Sequence, residues 1–423
     1  MSASIPRLLF CVVLMASLAG CGGSSGGSTG CVSNCGGGGG TPTTVTYTFT
    51  GAMPTAVATK IGTGAYTQAT LASGKLSISV PSGTSNFAVA YVCPALPWFV
   101  PPFTNEYVYQ ASTLDGTSFG GSCTNTASPQ YGTATVQVNT SAIPAAHMVT
   151  VQDLDVMGAS GGTIDFSGPM TVGTYDVFIF AQDIDDNLLA LKILRSQTIP
   201  GALNGGNLVT FQTSDETTQQ AVTYSNLPSG FSPGLTVLYE TAGGASTTLD
   251  VLGSTTQYPA MPVSAYQSGD YYLFAADANS GNSGNEVVGV EKYTSSGGAQ
   301  NFTFPAPWAY SGPTATALPT FNFGYSGFSG MSSVSSVATI QWNQGTGSPT
   351  SSGIKVVATA NYQNGATTVT IPDLSGLAGF LAPAPSGSWI QWYAEIEQGD
   401  PGVSTPPSGT SQYVENNGLY QVP

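Results

Sequence analysis

Charge is what this chain has least of. Only 7% of its 423 residues are Asp, Glu, Lys or Arg, and 7 cationic side chains stand against 22 acids. So few Lys and Arg exclude a basic patch able to neutralise phosphates, and nucleic acid is not expected as a partner. Histidine is almost missing, since His147 stands alone. Zinc sites draw on several His or Cys ligands, so a structural or catalytic zinc is not expected. Helical periodicity is also missing. No stretch past the first twenty residues holds it for more than two turns.

Turn formers and aromatics are abundant. The chain has 54 Gly, 28 Pro and 10% aromatic residues, with recurring valine-rich runs. That composition excludes a disordered body and predicts many short strands joined by turns. The acidity favours solubility and attracts cations rather than anions.

The first residues form an address. Arg7 gives a positive start, and Leu8 to Met15 is an apolar run too short to span a bilayer as a mature helix. Small residues then lead into Cys21. The segment Leu18-Ala19-Gly20-Cys21 resembles the lipobox of bacterial lipoproteins. The resemblance implies cleavage before Cys21, acylation of its sulfur, export, and a lipid anchor in the cell envelope. Gly22 rather than Asp after the cysteine is similar to outer-membrane sorting. Residues 21–44 are a Gly/Ser-rich tether, with roughly 20 flexible residues reaching on the order of 25 Å. Cys31 and Cys35 within it would pair locally or between copies. Cys93 and Cys123 are the cysteines of the body, and an oxidising compartment predicts a disulfide between them.

Two signatures recur four times. An alternating strand opens each unit, beginning near Tyr47, Thr135, Ala221 and Phe321. A turn glycine followed by an aromatic strand comes late in each, at Gly83, Gly173, Gly269 and Gly387. These turns call for positive φ, which glycine adopts without steric cost. The expected fold class is all-β: tandem β-sandwich modules after a signal at 1–20 and a tether at 21–44. The module bounds are 45–130, 131–212, 213–312 and 313–423. The spacing suits small sandwiches. The Gly-x-aromatic strands resemble immunoglobulin-like and transthyretin-like modules, and a β-propeller of shorter blades is the alternative. Ile371 to Phe380 is the one place where a short helical turn is expected.

Motifs that carry chemistry are few. Gly158-Ala-Ser160-Gly-Gly162 matches a nucleophile elbow, yet no helix is expected after it and His147 precedes it. Glu395 and Glu397 are two apart on a strand, so they share a face. Glycoside hydrolysis needs its carboxylates across a cleft, so this pair is expected on a solvated strand face. Asp183, Asp185 and Asp186 follow one aromatic strand, and Asp277 and Asn279 follow the next. Both groups are expected in matching hairpin loops, where oxygen ligands would suit Ca²⁺ or simply shape the turn. Trp98, Phe99 and Phe103 form the apolar loop best placed for ligand contact. Trp389 and Trp392 lie three apart in a strand, so they point to opposite faces and at most one joins the core.

The expected function is that of a non-catalytic, membrane-anchored lipoprotein. It would display sandwich modules for surface structure, adhesion or binding, with a glycan or a cell-surface protein as partner. A glycan-binding role in polysaccharide handling is the first alternative. A hydrolase is the second, disfavoured by the single histidine and the absence of convergent acid pairs.

Overall fold

The computed structural model describes residues 41–95, 103–124, 129–158, 162–249, 255–280, 286–328, 334–343, 351–399 and 409–423. Nearly all regular structure in them is β, arranged in open layers without a closed barrel or propeller. The fold is all-β and sandwich-like. The chain divides into two compact units. One takes the residues up to Thr126 with Pro307–Gly399 and Tyr413–Pro423, and the other takes Ala127–Ala306 with Asp400–Gln412.

A single pairing scheme recurs along the chain. Thr43–Gly51 lies between antiparallel Lys75–Val80 and parallel Ser118–Cys123. Tyr131–Asn139 lies between antiparallel Thr163–Thr171 and parallel Gly201–Ala202. Thr218–Ser225 lies between antiparallel Gln257–Ala260 and parallel Gln300–Thr303. Among the described residues Thr320–Asn322 has one strand partner, antiparallel Thr368–Thr370. The aromatic strands form the middle of the facing layers. Asn86–Val92 sits between Ala56–Ile61 and Phe103–Ser112, and Gly173–Gln182 between Met148–Val151 and Leu188–Ile199. Tyr271–Ser280 sits between Phe231–Glu240 and Glu286–Thr294, and Trp389–Gly399 between Val334–Asn343 and Gly409–Gln421. The four turn glycines have φ of 83°, 156°, 98° and 82° in chain order. At Gly269 a Cβ would also come within 2.9 Å of the Ala242 methyl, so both conformation and space demand glycine.

In the first unit, strict alternation buries Val45, Tyr47 and Phe49 from one layer and Phe87, Val89 and Tyr91 from the other. Burying side chains of this size contributes roughly 1.5–3 kcal/mol each before entropy is set against it. Cys93 follows a strand of one layer and Cys123 ends a strand of the other, and their disulfide staples the two. Replacing both by serine opens a loop of sequence separation 30. It is expected to lower stability by about 3 kcal/mol. Urea melts of the oxidised protein and the double variant read this, and equal midpoints would show that the staple is redundant.

Asn86–Val92 departs from simple alternation, because Ala88, Ala90 and Val92 are buried as well. The sheet does not end there. Phe103–Ser112 pairs in parallel with Ser351–Thr359, and the sheet continues through Val334–Asn343 to Trp389–Gly399. The second face of this sheet carries Val108, Val356, Ile340 and Ala394. Leu381 donates its N–H to Glu106 on this sheet, and Gly379 lies against Ala56. Trp392 lies between the rings of Tyr310 and Phe321, at 5.5 and 6.5 Å.

The residues from Ile371 to Phe380 form turns and not a helix. Pro372, Gly376 and Gly379 break helical continuity there. The helical turn in this region is Ala360–Gln363, capped by the Thr359 hydroxyl, which accepts the Tyr362 N–H at 3.2 Å.

The second unit holds two aromatic and aliphatic cores. Val136, Val138, Phe166, Val177, Ile179 and Phe211 form one. In the other, Tyr258 meets Phe274 edge-on at 4.9 Å, and Tyr239 meets Tyr272 at 5.0 Å. Such edge-to-face pairs add about 0.5–1.5 kcal/mol beyond the area they bury.

Candidate functional site

Of the residues singled out from sequence, Cys21, Cys31, Cys35, Trp98, Phe99 and Ser160 lie outside the described residues. Phe103 opens its strand half-buried, its ring packed over Gly353. Trp392 is core at 9% exposure, and Trp389, three residues away, is 62% exposed. His147 is exposed, and its N–H donates to the Gln182 carbonyl at 2.8 Å.

The two acidic groups are not equivalent. Asp183, Asp185 and Asp186 do occupy a hairpin loop, between Gly173–Gln182 and Leu188–Ile199. Asp183 Oδ1 accepts the N–H groups of Asp185 and Asn187, each at 2.9 Å, and the Asn187 side chain donates to both carboxylate oxygens. The Asn187 amide and these backbone donors hold the Asp183 carboxyl below its ordinary range. This is an Asx-type turn. Asp277 and Asn279 instead lie inside the strand Tyr271–Ser280, paired with Gly234 and Ser232 on one side. The strand runs on past the expected turn because Gly234 leaves room beside Asp277. A Cβ there would meet Asp277 Oδ1 at 2.4 Å. Among the described residues no three His, Cys, Asp or Glu side chains gather in a metal-binding group.

Glu395 and Glu397 share a face of Trp389–Gly399 as expected, but both are half-buried rather than solvated. Burial raises the Glu395 carboxyl while Lys355 draws it down, and burial lowers the Lys355 ammonium against the pull of both acids. The pair lies on one strand rather than across a cleft.

The hairpin of Asp183 borders a groove in the second unit. Its volume is about 410 Å³, within the usual range for small-ligand sites. Thr150, Phe180, Gln182, Asp186, Leu188, Thr247 and Thr248 line it. Strand alternation explains this lining. Val177, Ile179 and Ala181 point into the core, which puts Phe178, Phe180 and Gln182 on the opposite face. Phe180 is half-buried and lies parallel to Phe178, with rings 6.1 Å apart. The Thr150 hydroxyl donates to Gln182 Oε1 at 2.8 Å, and Gln182 Nε2 donates to the Asp186 carbonyl at 3.2 Å. These bonds hold the amide in place beside the ring.

A second cavity, of about 390 Å³, opens beside Lys192, Arg195 and Asp215. Its charges are already compensated. Lys192 pairs with Asp215 at 2.7 Å, and Arg195 with both Asp176 and Asp270 at 3.0 and 2.6 Å. Sequence reading missed this cluster, because no local pattern links residues 75 positions apart. It also missed Glu106, which is 1% exposed in the first unit. Its Oε2 accepts the Leu381 N–H at 3.1 Å, and Oε1 has no partner among the described residues.

No protein-family model matches this chain, and no curated protein matches it.

Proposed function

We propose that this protein is a non-catalytic, exported lipoprotein, held in the bacterial cell envelope through Cys21. It displays four sandwich modules, with bounds near 45–130, 131–212, 213–312 and 313–423, for surface structure, adhesion or ligand binding. The observation that carries the reading is the joining of two features. A lipobox-like segment and Gly/Ser tether precede an all-β body in which the buried acids Asp176, Asp215 and Asp270 are held in structural ion pairs. A frame of this kind presents grooves and loops on rigid sheets. The partners of the reading are the membrane and a glycan or cell-surface protein. Binding of a glycan is favoured by the Phe180 groove, whose lining is aromatic and hydroxyl-rich.

Anchoring is tested by Cys21→Ala. The wild-type chain is expected in the membrane fraction and the variant in the soluble fraction. Retention of the variant in the membrane would overturn the lipid-anchor reading.

A further inference from the structure

We infer that the groove over Phe180 is a binding site for a neutral saccharide. The inference rests on the ligand-display reading and narrows the ligand to a chemical class and a set of side chains. A pyranose has an apolar C–H face and a rim of hydroxyls. The groove offers the complement of both. Phe180 supplies a half-buried ring, and Leu188 extends the apolar surface beside it. Around it stand Thr150, Gln182, Asp186, Thr247 and Thr248, residues that carry hydroxyl, amide and carboxylate groups.

The polar groups are held before any ligand arrives. Gln182 is bonded on both sides, by Thr150 and by the Asp186 carbonyl. Asp186 has φ 63°, and its N–H donates to the Asp183 carbonyl at 3.3 Å. Thr247 and Thr248 belong to a strand paired with Phe231–Glu240. Groups fixed in this way lose little freedom on binding, which favours even a weak ligand.

Charge selects against anions. None of the lining residues is cationic, and Asp186 adds a negative charge at the rim. The chain as a whole carries 7 cations against 22 acids. An acidic polysaccharide would meet no ion pair and would be repelled.

The test uses the full chain purified in detergent, with cellohexaose, maltohexaose and mannohexaose as probes and polygalacturonate as the anionic control. Calorimetry is expected to show saturable, millimolar-range binding of at least one neutral probe and none of the control. Phe180→Leu keeps an apolar side chain but removes the ring, and it is expected to weaken binding roughly tenfold. Asp186→Asn and Thr248→Ala change exposed positions, so the double variant carries the test if Phe180→Leu fails to fold. It too is expected to bind more weakly than wild type. Absence of binding by all three neutral probes overturns the inference. So does binding that survives Phe180→Leu and the double variant, or equal binding of polygalacturonate. Each of these results leaves the anchoring test with Cys21→Ala untouched, so failure of the site and failure of the lipoprotein reading are told apart.

Discussion

Asp270→Ala is expected to destabilise the second unit by about 3–5 kcal/mol, the usual effect of removing one partner from a buried ion pair. Asp270 is fully buried. Its Oδ1 and Oδ2 accept Arg195 at 3.1 and 2.6 Å in a two-pronged pair. The same carboxylate accepts the Tyr239 hydroxyl at 2.6 Å and the N–H groups of Ala242 and Gln267, each at 2.9 Å. Alanine would leave these donors without an acceptor, and each orphaned buried group costs about 1–3 kcal/mol. Arg195→Lys is expected to be damaging as well. The guanidinium reaches Asp176, Asp270 and the Ala265 carbonyl at once, and an ammonium does not reproduce that planar fork. Urea unfolding followed by near-ultraviolet circular dichroism reads both variants. A change under about 1 kcal/mol for Asp270→Ala would show that hydrophobic contacts alone hold this region.

The pH dependence of the same cluster has a definite sign. Burial pushes Asp270 up, but Arg195, Tyr239 and the two backbone amides outweigh it and hold the carboxyl below its ordinary value. Asp176 behaves alike through Ser196, Thr241 and Arg195. A group depressed in the folded state stabilises fully above its unfolded pKa. That stability is lost as pH falls through the folded pKa, so acid unfolding is expected to begin below about pH 4.

Glu106 predicts the opposite slope in the first unit. Burial lifts its carboxyl to about 7, against the pull of the Leu381 N–H, and Asp373 adds to the rise. The folded chain therefore holds a proton that the unfolded chain releases near pH 4. Its stability contribution is present below that pH and declines as pH rises to about 7, by roughly 3 kcal/mol in all. Glu106→Gln, which has no proton to lose, is expected to flatten this decline and to be the more stable protein at pH 8. Melting temperatures of both proteins between pH 5 and pH 9 decide it. Parallel curves for the two would show that Glu106 is not the group responsible.

Much of the layer structure was legible in the chain. The alternating strand expected from Tyr47 is there, with Tyr47 and Phe49 buried, and the aromatic strands after Gly83, Gly173, Gly269 and Gly387 are the middle strands of their layers. Both signals are local, since a pleated strand turns successive side chains to opposite faces and a tight turn demands positive φ. The Cys93–Cys123 pairing was legible for a different reason, because the body holds no other cysteines.

The groove was legible only in part. Asp186 was named as a loop acid, but Phe180 read as one aromatic among many in its strand. The groove beside it is completed by Thr247 and Thr248, which lie more than sixty residues later. The location of Asp277 was misjudged because turn residues such as Asp and Asn also end strands. What keeps them in a strand here is the space beside Gly234 on a neighbouring one.

The sequence by itself determined the all-β class, the glycine turns at Gly83, Gly173, Gly269 and Gly387, and the disulfide, because those follow from short-range sterics and from the count of cysteines. Only the tertiary structure decided which acids are buried and what faces them. The surroundings of Glu106, with Leu381 275 residues away, and of Asp270, with Arg195 75 residues away, are built by strand pairing over long separations. A carboxylate's energy depends on that assembled environment and not on its neighbours along the chain.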